Sequence, residues 1–113
     1  MSVNQIIENA LRTIVPSIWP LVCPDENAPD EYVVYNPELD VPEDFGDNEA
    51  GAWVQYMQVH LYTRKNYLKK RKEIRKALTL AGFLISDITT MYEKDSKYYH
   101  LCFSCSIEEN MEE

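Results

Sequence analysis

The stretch from Ala52 to Tyr62 constrains this chain more than any other, because its side chains sort at a period of two. One set is Trp53, Gln55, Met57, Val59 and Leu61, and the other is Val54, Tyr56, Gln58, His60 and Tyr62. A strand sends alternate residues to opposite faces. The first set suits a core from Met57 onward, and the second is aromatic and amphipathic. Such a segment needs partner strands beside it and a layer covering one of its faces.

The remaining elements are read around that strand. Val3, Ile6, Ile7, Ala10, Leu11 and Ile14 recur at helical spacing over residues 3–15, with Ser2 as N-cap and Pro16 as stop. Pro16, Pro20, Pro24 and Pro29 then predict a stiff extended connection, pressed on the core by Trp19, Leu21 and Val22. Tyr32 to Asn36 reads as a short strand. Residues 38–51, acidic and interrupted by Pro42, Gly46 and Gly51, read as a long surface loop. Thr63 or Asn66 caps a helix reaching about Ala81, whose buried stripe is Leu68, Ile74, Ala77, Leu78 and Ala81, with Gly82 as the residue that ends it. Thr89–Glu93 and Tyr98–Ile107 pair as a hairpin about Lys94–Lys97, and residues 108–113 read as a mobile acidic tail. The expectation is one α+β domain over residues 1–113. It is a four-stranded, mostly antiparallel sheet with two helices packed on one face, in the order α-β-β-α-β-β.

Charge and cysteine content narrow the function. The net charge of −8 disfavours general affinity for nucleic acid or an anionic membrane. Ten of the nineteen acids lie between Asp25 and Glu49, and eight of the eleven bases between Arg64 and Lys76. Copies of a chain so divided can pair with one another. No leader or apolar run long enough to span a bilayer is visible, and the three cysteines read as free thiols.

Candidate chemical sites are sparse. Cys102 and Cys105 have CxxC spacing, but a strand puts them on opposite faces, and a redox pair belongs at a helix N-terminus. His60, His100 and Cys102 can share a face, yet a further ligand that would complete a metal site is not evident. The carboxylates of Glu93 and Asp95 sit in a turn, where acids are ordinary solvated residues. No Ser/His/Asp set, P-loop or GxGxxG occurs. The expected working parts are therefore surfaces: Tyr56, Gln58, His60 and Tyr62 on the sheet; Lys69, Lys70, Lys72 and Lys76 on the basic helix; and Glu43, Asp44, Asp47 and Glu49 in the acidic loop. Neither catalytic residues nor a cofactor are expected.

The ordered run Val54-Gln55-Tyr56-Met57-Gln58-Val59-His60-Leu61-Tyr62-Thr63, a basic helix ending Ala81-Gly82-Phe83, then Met91-Tyr92-Glu93-Lys94-Asp95 and Tyr98-Tyr99-His100 resembles a known family. It is similar to the tail-completion proteins of long-tailed bacteriophages and prophages, also called tail terminators or tail-to-head joining proteins. The match covers residues 52–107. His60 stands where the family often has an acid, and Tyr62 where it often has Trp. The resemblance implies a non-enzymatic ring, usually hexameric, that caps the tail tube and meets the head connector. It also implies assembly in the host bacterial cytoplasm and a place in the virion tail, with no membrane partner and no specific nucleic-acid binding. The other reading of the residues is a small adaptor or regulator that uses helix 64–76 to bind an acidic protein or nucleic acid.

Overall fold

The computed structural model describes residues 1–42 and 52–110. Its elements are α1 (Val3–Leu11), β1 (Ile18–Pro20), β2 (Glu31–Pro42), β3 (Ala52–Thr63), α2 (Tyr67–Leu80), β4 (Leu84–Tyr92) and β5 (Tyr99–Asn110). The sheet has five strands in the order β1-β2-β3-β5-β4, with β1 parallel to β2 and the other neighbours antiparallel. This corrects the expected four-stranded sheet and the order α-β-β-α-β-β. The sheet is mixed, and the order is α-β-β-β-α-β-β.

The additional strand lies inside the proline-rich connection. Prolines exclude an interior strand but are tolerated at an edge, where one side of the backbone needs no partner. Ile18, Trp19 and Pro20 pair with Val33, Val34 and Tyr35. The pairing closes when Leu21 N–H donates to the Tyr35 carbonyl at 2.8 Å. Leu21 then turns sharply at φ +67°, and Val22 N–H reaches the Pro20 carbonyl at 2.7 Å. That turn lifts Leu21 and Val22 away from the core, so both are exposed rather than packed as expected.

Local signals explain the helices. Ser2 and Gln5 form a reciprocal capping box at the start of α1. Asn66, not Thr63, caps α2, accepting from Lys69 N–H at 3.3 Å. At its end Phe83 N–H bonds the Leu78 carbonyl and Gly82 N–H that of Thr79, with Gly82 at φ +106°. This Schellman arrangement needs a left-handed residue, which glycine supplies without strain.

Both helices contribute to one core on one face of the sheet. Val3, Ile7 and Leu11 of α1 and Ile74 and Leu78 of α2 join Val33, Tyr35, Met57, Val59, Leu61, Leu101, Phe103 and Cys105. Leu68, expected in the buried stripe, is exposed. The Tyr35 hydroxyl donates to the Glu8 carboxylate, tying α1 to β2. A second tie uses Lys70, whose Nζ donates to the Ile14 carbonyl at 2.8 Å and pairs with Glu31 at 3.5 Å. The buried Thr63 donates to the same Glu31 carboxylate at 2.8 Å.

The sheet outruns its helices. β3 has twelve residues and so spans ~40 Å at a strand's rise, while the fourteen residues of α2 span only ~21 Å. The surplus is an arm made of the end of β2, the start of β3 and the end of β5. Residues 38–42 are thus strand and not loop, and Glu108–Asn110 belong to β5 and not to a tail. Residues 43–51 and 111–113, among them Glu43, Asp44, Asp47 and Glu49, lie outside the described residues.

A bulge between Pro37 and Leu39 resets the arm. Pro37 opposes Met57 on the helix side, yet Leu39 opposes Tyr56 and Val41 opposes Val54, on the other side. Asp40, opposite Gln55, faces the helix side. The extra residue has exchanged the two faces of β2.

Candidate interaction surface

The sheet face away from the helices is built from alternate residues of β2, β3 and β5. Val34 pairs with His60, Asn36 with Gln58, His60 with Cys102 and Tyr62 with His100. Gln58, His60 and Tyr62 are half-buried and Tyr56 is exposed. The sequence-expected face is therefore assembled, with Tyr32, Val34 and Asn36 added from β2. Asn36 had no signal of its own, since its place depends on the register with β3.

A stack of rings crosses this face. Tyr32 lies on Tyr62 at 4.9 Å between centroids, and Tyr62 on His100 at 4.2 Å, both nearly parallel. Tyr98 meets Tyr32 and Tyr62 edge-on. Its hydroxyl donates to the Pro29 carbonyl at 2.6 Å, and the Arg64 guanidinium sits 3.9 Å from its ring centroid. Arg64 also pairs with Asp30 at 2.9 Å. Burial, then the neighbouring Tyr62 and Tyr98, push the Tyr32 hydroxyl up to about 12, and burial also raises Tyr62. These phenols stay neutral and hold the face in shape.

A polar chain runs beside the rings. Asn36 Nδ2 donates to the Pro37 carbonyl at 3.3 Å, which turns Oδ1 towards His60 Nε2 at 3.1 Å. His60 Nδ1 and His100 Nε2 are 2.9 Å apart, and His100 Nδ1 is 3.8 Å from Glu93. The donor order follows: His60 Nε2–H gives to Asn36, and His100 Nε2–H gives to His60 Nδ1. Burial lowers both imidazoles below their usual value. His100 lowers His60 further, while Glu93 works in the opposite direction on His100.

This arrangement positions imidazoles without making a metal centre or a nucleophile. The two rings use their facing nitrogens on each other. Among the described residues no three His, Cys, Asp or Glu side chains converge as ligands. Burial raises the thiols of Cys102 and Cys105, the latter to about 12, so neither is a ready thiolate. Cys105 lies in the core and Cys102 on the open face, as CxxC spacing in a strand requires.

The basic helix divides in two. Lys69, Lys72 and Lys76 are exposed, together with Arg75. Lys70 is instead turned inward onto Ile14 and Glu31, apart from those exposed bases. Among the described residues no helix is long and apolar enough to cross a membrane.

No protein-family model matches this chain, and no curated protein matches it in sequence. Among solved structures it is similar to a chain of the "Virion of native gene transfer agent (GTA) particle". The likeness has a TM-score of 0.61 at 12% identity and covers 92% of this chain and 84% of that one. At this identity the likeness is one of fold.

Proposed function

We propose that this chain is a non-enzymatic assembly protein of a phage-like particle, which caps the tail tube and joins it to the head connector as a ring. The observation that carries the reading is the near-whole-chain fold likeness to a chain of a gene transfer agent virion. The ordered motifs of residues 52–107 make the role more specific, since they resemble tail-completion proteins. The separation of bases on α2 from acids on the arm also favours the reading, because ring contacts join unlike patches. Its partners are copies of itself (six in the family's usual ring), the tail-tube protein and a head-completion protein. It assembles in the host bacterial cytoplasm and remains in the virion tail.

Electron microscopy of purified tail-tube protein tests this. Adding the chain should shorten and cap the tubes, with a ring at one end. An unchanged distribution of tube lengths overturns the proposal.

One observation favours the adaptor reading. Among the described residues Lys69, Lys72, Arg75 and Lys76 have no acidic partner on their own chain. That reading expects binding to an acidic protein or nucleic acid that weakens steeply with salt.

A further inference from the structure

Between the two helices lies an open cleft beside the core. It has a volume of about 520 Å³ and is lined by Met1, Ile6 and Ala10 of the N-terminal segment and by Ala77, Leu80 and Ala81 of α2 and its cap. Leu80 is 79% exposed and Met1 67%. A second hollow of about 350 Å³ shares Leu80 and adds Lys72, Arg75, Thr79 and Lys76. The helical pair thus presents an apolar trough with a cationic border.

The arm has the reciprocal character. The bulge puts Leu39 and Val41 on one side of β2, beside Tyr56, and all three are exposed. Glu38 sits in the bulge, and Asp40 points to the other side. Neither carboxylate pairs with a cation among the described residues. β1 accompanies β2 only as far as Tyr35, so among the described residues no strand lies beside the outer backbone edge of residues 38–42. One strand therefore offers apolar side chains, negative charge and a free edge. The trough offers apolar walls and positive charge. Among the described residues neither surface meets a counterpart on its own chain.

We infer that the arm of one copy docks in the α1–α2 trough of the next, with Leu39 and Val41 against Leu80 and Ile6 while Lys72 and Lys76, on the trough's border, reach round the strand's free edge to Glu38 in the bulge and Asp40 on the far side. The inference rests on the ring reading above and specifies its copy-to-copy contact. A second copy is the occupant because it carries the matching charges and apolar residues at a chain net of −8, where two such proteins otherwise repel. The contact joins unlike patches, which is what a closed ring requires.

The test uses charge reversal on the full chain, read by sedimentation and by electron microscopy of tail-tube ends. Lys72→Glu with Lys76→Glu leaves arm and trough both negative. Glu38→Lys with Asp40→Lys leaves both positive. All four positions are exposed, so circular dichroism should show each variant folded. Each variant alone should self-associate about tenfold more weakly than the unaltered chain. An equimolar mixture should recover rings, because alternation restores attraction at every contact. Single variants that assemble like the unaltered chain, or a mixture that stays dissociated, overturn the arm-in-trough contact while leaving tube capping intact. An unaltered chain that neither caps tubes nor forms rings removes the ring reading, and this contact with it.

Discussion

The hydrogen bond joining His60 to His100 has room for a single proton. With Asn36 oriented by the Pro37 carbonyl, that proton belongs to His100 Nε2, and both rings are neutral. A further proton has one comfortable place, His100 Nδ1 beside Glu93 at 3.8 Å. Protonating His60 at Nδ1 would set two N–H groups against each other. Both imidazoles titrate below the ordinary histidine value, chiefly through burial. Between about 6.5 and those lower values the unfolded chain holds more protons than the folded one, so stability falls as pH falls. Above about 6.5 this contribution is fully present. The urea midpoint should therefore drop between about pH 7.5 and pH 5.5, and a His60→Gln, His100→Gln chain should lose most of that slope. A double variant that keeps the full slope would assign it to other groups.

Among the elements, α2 is held by a lysine whose role only the packing reveals. Lys70 and Lys69 look alike in sequence, one helical step apart. Lys70 satisfies a carbonyl at the end of α1 and faces Glu31, whose side chain is 9% exposed. Lys70→Met should cost roughly 2 kcal/mol in denaturant unfolding, since it strips a buried carboxylate of its cation. Lys69→Ala should stay within about 0.5 kcal/mol, as exposed sites do. The same contrast shows what sequence pattern can reveal. The capping residues Ser2 and Asn66, the terminator Gly82 and the two faces of β3 were legible because each depends on residues a few positions away. β1 was hidden because three residues between prolines become a strand only when β2 supplies the ladder. The outer half of β2 was hidden because Pro37, Glu38 and Asp40 mask its alternation. The half of the open face borne by β3 and β5 could be read, but Asn36 and Glu93 joined its polar chain through register alone.

The whole molecule is longer than its mass suggests. It measures 52 × 24 × 23 Å with a radius of gyration of 15.2 Å. A compact domain of this length has about 13 Å. Small-angle scattering from the monomer should give the larger value and an asymmetric distance distribution, while a profile for a compact sphere would show the arm folded back. The bulge that shapes this arm also governs how its length can vary. Glu38 is a surplus residue that the backbone swallows, and its side chain makes a long contact with Gln58 at 3.4 Å. Removing it would leave Leu39 opposite Tyr56, so the ladder could close with the same side chains outward. A residue gained beyond it, with no new bulge, would invert every later position and turn Asp40 outward in place of Leu39 and Val41. Beyond the bulge, odd changes in length alter surface chemistry, and even ones alter only reach.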